Sequence, residues 1–170
     1  MQRLAFIVPI SLILIFILLF WTFQSIKSAF LILLSVPFAI TGGLIALLLT
    51  GIHLSISAAV GFIALFGIAV QNGVILLTKI NLHRREGIPL HDAILQGSVS
   101  RLRPVVMTAL MAMLGLLPAA LSTSIGSETV KPFAIVIIGG LITATLLTLT
   151  MLPLLYRNFE GKQQELEMRP

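Results

Sequence analysis

Residues 55–78 read SISAAVGFIALFGIAVQNGVILLT, an apolar run that contains no charged residue. About 20 such residues form a helix long enough to cross the roughly 30 Å hydrocarbon core of a bilayer. Four further uncharged runs of similar length lie at 4–23, 29–50, 104–122 and 132–155. The sequence therefore predicts an all-α membrane protein with five transmembrane helices.

The acidic residues lie outside these runs. All six stand in the connections or in the tail: Glu86, Asp92, Glu128, Glu160, Glu165 and Glu167. Because intramembrane carboxylates commonly form proton and cation relays, the chain contributes no carboxylate of its own to such a relay. It also has no cysteine, which excludes disulfides and thiolate metal sites within it.

The composition excludes a separate water-soluble domain. Hydrophobic residues make up 58% of the chain and charged residues 10%, whereas soluble domains average about 25% charged residues. The net charge of +5 could indicate nucleic-acid binding. Membrane topology explains this charge better, so no nucleic-acid partner is expected.

The basic residues are distributed unevenly about the five spans. If each span crosses the membrane once, Arg3 and Lys131 fall on one side, and the other nine of the 11 basic residues fall on the opposite side. The positive-inside rule then places the N-terminus outside and the C-terminus in the cytoplasm. No cleavable signal sequence precedes the first span. An N-terminus outside the membrane is therefore explained best if residues 1–170 are the tail of a larger polypeptide.

The connections and the tail carry three further expectations. The short segment 51–53 predicts a tight outside turn between spans two and three, which makes them antiparallel neighbours. Residues 80–103 show an amphipathic pattern after Pro89, which predicts a short cytoplasmic helix lying in the interface plane. The transmembrane domain is expected to cover 1–157, and 158–170 to form a frayed, polar, cytoplasmic tail.

Small residues indicate the faces on which the spans pack. Gly or Ala at spacings of three or four lets helix backbones approach closely in membranes. In span three such residues recur at 58, 61, 64 and 67, which predicts that this helix is central in the bundle. The glycines assigned to helix packing are Gly42, Gly61, Gly67, Gly139 and Gly140.

Gln71 and Asn72 form the strongly polar pair of span three. A buried amide costs free energy unless it is hydrogen-bonded, so the pair is a candidate contact to a coupling group on another helix. The alternative is a purely structural interhelical hydrogen bond, worth about 0.6 kcal/mol in membranes. Because neither amide can carry a proton, the residues alone favour the structural role.

Arg101, Arg103 and Thr108 lie at or near the start of span four. Arg101 and Thr108 are two turns apart on one helix face and could line a polar seam. Long basic side chains near helix ends also reach lipid headgroups, and that explanation is preferred for Arg103. A transmembrane threonine usually donates to its own i−4 carbonyl, which is the default expected for Thr108.

No arrangement of residues indicates catalysis or a bound metal. The methionines of span four could suggest a copper(I) site, but thioethers in an apolar helix are more commonly packing residues. The three histidines stand at spacings unlike those of zinc sites. With no phosphate-binding loop, catalytic triad or paired carboxylates, neither enzymatic activity nor a cofactor or resident metal is expected. The residues considered are Met107, Met111, Met113, His53, His83 and His91.

Four segments together resemble the C-terminal membrane half of resistance-nodulation-cell division (RND) transporters. The sequences of these segments are most similar to those of the heavy-metal efflux branch, of the cobalt-zinc-cadmium and copper-silver type. These segments are SVPFAITGG at 35–43, HLS at 53–55 leading to GFIALFGIAVQNG at 61–73, RLRPVVMTAL at 101–110, and GGLITAT at 139–145 extending to Pro153.

The resemblance implies the last five of twelve spans of a proton-driven antiporter of the bacterial inner membrane. Such transporters work as homotrimers with a periplasmic adaptor and an outer-membrane channel, and the N-terminal portion of the same transporter would precede this chain. By the resemblance, Gln71 stands where multidrug pumps have a coupling lysine, and Asn72 matches a neighbouring amide. Arg101 and Thr108 match positions tied to the proton pathway, whose aspartates belong to the other membrane half.

The preferred hypothesis is therefore that the chain is the C-terminal membrane portion of an RND heavy-metal cation efflux transporter. This portion is expected to be inactive alone and to contact membrane lipid. Two alternatives remain open. One is a multidrug-type RND transporter, against which Gln71 in place of lysine argues. The other is a small membrane protein that scaffolds or regulates a pump.

Overall fold

A computed structural model describes the backbone of residues 2–124 and 126–167 and the side chains of residues 10–124 and 126–157. Within these ranges the chain forms five helices and no strand. The helices are α1 (Gln2–Phe23), α2 (Ile26–Thr50), α3 (Ile56–Arg85), α4 (Leu90–Leu121) and α5 (Ser127–Glu167). The predicted all-α architecture is confirmed.

Among the residues whose side chains are described, four helices have the length and composition of membrane spans: Ile26–Thr50, Ile56–Arg85, Leu90–Leu121, and Ser127–Arg157 within α5. The part of α1 searched in the same way, Ile10–Phe23, is also apolar, and the backbone of α1 includes the first predicted span. The protein is therefore a multi-pass membrane protein, as its hydropathy predicted.

Short capped turns join the first helices. The side chain of Ser25 accepts a hydrogen bond from the backbone N–H of Ser28 at the start of α2, and Ser55 does the same for Ala58 at the start of α3. Gly51 ends α2 in the left-handed conformation, with φ of 66°, which its missing side chain permits. The predicted tight turn is therefore present, and α2 and α3 are antiparallel neighbours.

The centre of the bundle is formed by α3 and α5. These two helices pack against each other, and each also packs against α2 and α4, while α1 packs against α2. One apolar core cluster lies around Leu65 and Leu141, and a second lies around Ile32 and Leu77. Span three thus shares the predicted central position with α5.

Glycines let α5 approach its neighbours closely. A Cβ added at Gly42 would lie 2.7 Å from the carbonyl oxygen of Gly139, and one at Gly139 would collide with the Cβ of Ala46. A Cβ at Gly140 would collide with the side chain of Leu65 on α3. No larger residue fits at Gly42 or Gly139 without moving a helix backbone, so both glycines lie at a close helix contact.

The buried stripe of α3 differs from the predicted one. A Cβ added at Gly61 would lie 3.1 Å from the carbonyl oxygen of Phe133, but no atom lies within 4 Å of one added at Gly67. In a helix of 3.6 residues per turn, each step of three residues rotates the side-chain direction by about 60° around the helix axis. A row of residues spaced three apart therefore turns away from the contact face. The buried face instead continues through Leu65 and Ala69.

The segment predicted as a separate interfacial helix is part of α4. The helix begins at Leu90 and continues through Pro104 to Leu121 without a break, so the prediction of a short helix of its own is wrong. Pro104 removes a single backbone hydrogen bond, a loss that transmembrane helices tolerate. Gly97 holds the segment against α3, where an added Cβ would lie 2.8 Å from Cγ1 of Ile80.

The last helix continues beyond the predicted domain limit at 157. Its backbone is helical to Glu167, so α5 includes residues 158–167 of the predicted polar tail. That stretch contains Glu, Lys and Gln, which are good helix formers, and no proline. Residues 168–170 of the predicted tail lie outside the described range.

Candidate functional site

A cleft of about 270 Å³ opens between α3 and α4, with Leu141 of α5 beside them. Its walls contain the four residues that match family positions at or near the proton pathway, Gln71 and Asn72 from α3 and Arg101 and Thr108 from α4. The other lining residues are apolar: Ile68, Ile75, Pro104, Val105, Ala109 and Ala112. The fold therefore gathers polar side chains from two helices into one otherwise apolar site.

Asn72 lies on the buried face of α3, and its neighbour Gln71 is exposed. The Asn72 side chain is 9% exposed, and its amide makes no hydrogen bond to any residue whose side chain is described. Burying an amide without a partner costs about 1–3 kcal/mol in proteins. Asn72 is therefore suited to a partner that enters the cleft from elsewhere.

Arg101 reaches the cleft from the first half of α4. The side chain is half-buried, and its Nε is buried without a hydrogen-bond partner among the described residues. The ion pairs within the described part of the chain lie in other places, between His83 and Glu86 at 3.1 Å and between His91 and Asp92 at 3.5 Å. The guanidinium of Arg101 makes the cleft electropositive, so the cleft is suited to an anionic partner.

Thr108 lies two turns beyond Arg101 on the same face of α4. Its hydroxyl donates to the backbone carbonyl of Val105 at 3.0 Å, so it bonds its own helix at i−3 rather than at the predicted i−4. Both carbonyls lie on the preceding turn, and the side-chain rotamer decides which one the hydroxyl reaches. The hydroxyl oxygen can still accept a hydrogen bond from a group in the cleft.

The cleft is rich in donors. Arg101 presents the N–H groups of a guanidinium, and Gln71 and Asn72 present amide N–H groups. Charge-assisted hydrogen bonds of this kind stabilise a carboxylate, and they weaken when that carboxylate takes up a proton. The lining residues include no acid of their own. The site can therefore position and stabilise a carboxylate supplied by another helix.

The other sequence candidates lie outside the cleft. Arg103 is exposed on α4, which suits the predicted contact with lipid headgroups. Met107 and Met111 are exposed, whereas Met113 packs against the core. Among the residues with described side chains, no group of three or more His, Cys, Asp or Glu could hold a metal ion.

Sequence reasoning missed several polar groups near this site. The Tyr156 hydroxyl donates to Oδ1 of Asn81 at 2.6 Å and joins α5 to α3. The hydroxyls of Ser98, Thr145 and Thr148 are buried and have no partner among the described residues. The sequence carries no signal for them, because a Ser or Thr within an apolar helix ordinarily bonds its own backbone.

Comparison with known proteins identifies the family to which these helices belong. Residues 1–160 match the AcrB/AcrD/AcrF family. The chain belongs to this family. The predicted resemblance to RND transporters is thereby confirmed.

Curated members of the family are similar to the chain over nearly all of its length. The cobalt-zinc-cadmium resistance protein CzcA of Cupriavidus metallidurans is 49% identical over 97% of the chain. HelA of Legionella pneumophila is 53% identical over 96% of it, and the cation efflux system protein CusA of Escherichia coli is 40% identical over 92%. The chain spans about 16% of the length of each of these relatives.

A solved structure has the same helical arrangement. The X-ray crystal structure of a heavy metal efflux pump matches the chain with a TM-score of 0.86 and 49% sequence identity. The match covers 94% of this chain and 16% of that protein. The resemblance to the heavy-metal branch of the RND transporters is therefore confirmed in both sequence and fold.

Proposed function

We propose that the chain is the C-terminal membrane portion of a proton-driven RND transporter that exports heavy-metal cations. Within it, α3 and α4 supply the donor half of the proton-coupling site. A facing helix of the N-terminal portion supplies the carboxylates, because the five spans of this chain contain none. Alone, the chain is inactive, since its spans hold no group whose charge alternates with proton uptake.

The cleft that gathers Gln71, Asn72, Arg101 and Thr108 is the observation that carries this proposal. Among its polar groups, the Asn72 side chain is 9% exposed, and the Arg101 Nε is buried without a partner from the described residues. A carboxylate placed between them would accept hydrogen bonds from both, and its protonation would weaken the contact. This difference between the two protonation states is what proton coupling requires.

The relatives support heavy-metal cations as the substrate. CzcA is named for cobalt, zinc and cadmium resistance, and CusA for cation efflux. Gln71 also argues against the multidrug branch, because by family resemblance multidrug pumps have a coupling lysine at the matching position. In this proposal the metal ions are the cargo of the complete transporter, and the cleft is part of the proton-coupling site.

The proposal extends to the assembly and the membrane. The complete protein works as a homotrimer with a periplasmic adaptor and an outer-membrane channel in the bacterial inner membrane. Exposed apolar side chains on α4, including Met107, Met111 and Leu114, offer a surface to the remaining membrane helices or to lipid. The excess of basic residues on one side supports a cytoplasmic C-terminus and a periplasmic N-terminus.

A chimeric transporter tests the proposal. The chain replaces the matching 165 residues of CzcA in a host that is sensitive to cobalt, zinc and cadmium because its own pump is deleted. We expect metal tolerance to return, because the α3–α4 cleft then faces the other membrane half of CzcA. The double variant Asn72→Ala with Thr108→Ala should assemble normally but lose tolerance, whereas the control Arg103→Ala should retain it.

A chimera that is expressed and forms trimers without restoring tolerance to any of the three metals would contradict the proposal. Tolerance to organic toxicants in place of metals would instead favour a multidrug-type transporter. Expression and trimer formation are measured by immunoblotting and native electrophoresis, so that a missing protein is not mistaken for an inactive one.

A further inference from the structure

A second cleft, of about 200 Å³, lies between the end of α1 and the last two turns of α3. Thr22 and Phe23 line it from α1. Four residues at spacings of three and four, which place them on one helix face, line it from α3: Thr78, Asn81, Leu82 and Arg85. The second cleft shares no lining residue with the α3–α4 cleft, so it is separate from the proposed coupling site.

The second cleft opens at one surface of the membrane. α1 ends at Phe23, and Trp21, two residues earlier, is 74% exposed. Exposed tryptophans next to the end of a span lie at the level of the lipid headgroups. The last turn of α3, which forms the other wall, is basic. The second cleft therefore opens where lipid phosphates lie, on the side that the charge distribution assigns to the cytoplasm.

Arg85 gives the second cleft its positive charge. Its side chain is exposed, and the ion pairs among the described residues do not involve it. The adjacent acid, Glu86, instead lies 3.1 Å from Nδ1 of His83. The ends of α1 and α3 carry the partial negative charge of helix C-termini, which disfavours an anion. Attraction for an anion therefore depends on the Arg85 guanidinium, whose planar N–H groups match the oxygens of a phosphate.

Asn81 adds a donor of fixed orientation beside Arg85. Its Oδ1 accepts a hydrogen bond from the hydroxyl of Tyr156 at 2.6 Å, and Tyr156 is buried. This bond holds the amide oxygen towards α5, so the amide N–H groups face away from Tyr156 and can donate to a group in the second cleft. Asn81 and Arg85 are one turn apart on the same face of α3. Together they present N–H donors to one phosphate group.

The polarity of the walls falls with depth in the membrane. Thr78 lies two turns before Arg85, about 10 Å along the axis of α3, and Thr22 lies on α1. Both hydroxyls donate to a carbonyl of their own helix, at 2.7 and 2.8 Å, and an exposed hydroxyl can rotate to donate to another acceptor. On α1, exposed Leu18 and Leu14 follow one and two turns deeper. A glycerophospholipid presents the matching order of phosphate, ester carbonyls and acyl chain.

We propose that the second cleft binds an anionic glycerophospholipid of the cytoplasmic leaflet. Arg85 and Asn81 hold the phosphate, Thr22 and Thr78 contact the ester carbonyls, and an acyl chain lies along the exposed leucines of α1. An anionic headgroup is favoured over a zwitterionic one, because basic pockets between helices on the cytoplasmic side attract negative charge. Since α1 otherwise packs against α2, the lipid would add a contact between α1 and α3.

Native mass spectrometry tests the phosphate contact. The chain is purified in detergent, phosphatidylglycerol is added, and the fraction of chains that retain one lipid is measured. Arg85→Ala is compared with Arg103→Ala, which removes an exposed arginine outside the second cleft. We expect Arg85→Ala to lower retention several-fold and Arg103→Ala to remain near the unmodified chain. Equal retention in the two variants would overturn the proposal. Because both side chains are exposed, neither substitution alters the core.

A pair of threonine variants tests the depth of the bound lipid. Thr78 and Thr150 are both exposed, and each donates to the carbonyl four residues earlier, at 2.7 and 2.6 Å. Thr78 lines the second cleft, and Thr150 does not. We expect Thr78→Val to lower retention of phosphatidylglycerol about threefold, the equivalent of one hydrogen bond in a membrane protein, and Thr150→Val to leave it unchanged. Equal retention in these two variants would overturn the proposed placement of the lipid.

Two competitors identify the source of the phosphate. Phosphatidylcholine has the same phosphate and acyl chains with a zwitterionic headgroup, and inorganic phosphate has no acyl chain. We expect phosphatidylcholine to be retained several-fold less than phosphatidylglycerol, and millimolar inorganic phosphate to leave the bound lipid in place. Equal retention of the two lipids would overturn the preference for an anionic headgroup. Displacement by inorganic phosphate would overturn the assignment to a lipid. None of these measurements depends on metal transport, so their outcome is independent of the proposed function.

Discussion

The hydroxyl of Tyr156 donates a 2.6 Å hydrogen bond to Oδ1 of Asn81 and joins the end of α5 to the end of α3. Tyr156 is 4% exposed, so this bond lies inside the bundle. It sets the relative height of the two central helices at one end, as the contact of Gly140 with Leu65 does further along. The cleft depends on that register.

Tyr156→Phe should lower the free energy of unfolding by about 0.6 kcal/mol, the average for an interhelical hydrogen bond in a membrane protein. The loss is measured by SDS-induced unfolding in mixed micelles. A double-mutant cycle with Asn81→Leu isolates the bond from other effects of each substitution. The matched control is Thr22→Val, which removes an exposed hydroxyl that donates to its own helix. Strictly additive effects of Tyr156→Phe and Asn81→Leu would show that the bond contributes nothing.

Gly139→Ala and Gly67→Ala should change stability in opposite directions. The new methyl group at Gly139 would collide with Ala46 on α2, whereas the one at Gly67 would meet no atom within 4 Å. Overpacking costs about 1–3 kcal/mol, and replacing an interior helical glycine by alanine contributes up to about 1 kcal/mol. The same unfolding assay measures both variants. Equal effects would contradict the packing of α2 against α5.

The helices of this bundle were predictable from sequence because a membrane span requires a long uncharged run. Their limits were less predictable. The basic residues at the end of α3 favour its extension to Arg85, since cations stabilise a helix C-terminus. The contact face of α3 was not predictable at Gly67, because the spacing of small residues does not reveal which side of a helix faces a neighbour.

The cleft was partly predictable, because Gln71, Asn72, Arg101 and Thr108 are polar residues within or beside apolar runs and match family positions. Sequence alone did not show that they share one site, which depends on the packing of α3 against α4. The unbonded hydroxyls of Thr145 and Thr148 were unpredictable, because only the side-chain orientation distinguishes Thr148 from Thr150.

A reporter fused after Pro170 should reveal a cytoplasmic C-terminus. An enzyme that is active only in the periplasm should be inactive there, and the same reporter placed in the connection after α4 should be active. The physical reason is the excess of basic residues on the side of the C-terminus. Periplasmic activity at the C-terminus would reverse the proposed orientation.

Expression of residues 1–170 alone should leave the metal tolerance of a sensitive host unchanged. The spans contain no carboxylate, so no group in them can alternate its charge with proton uptake. Growth in graded cobalt, zinc and cadmium measures the effect, with intact CzcA as the positive control. Restored tolerance without any partner gene would show that the chain is a transporter by itself.

The most direct test is a measurement of metal-driven proton flux in proteoliposomes that contain the CzcA chimera. It shows whether the α3–α4 cleft is the donor half of a coupling site. Asn72→Ala and Thr108→Ala should each lower the flux with folding and trimer assembly intact, because each removes a polar contact worth about 1 kcal/mol to stability. Arg103→Ala, outside the cleft, should be close to the unmodified chimera. Full and equal flux in all three variants would contradict the account and leave Asn72 and Thr108 with a structural role only.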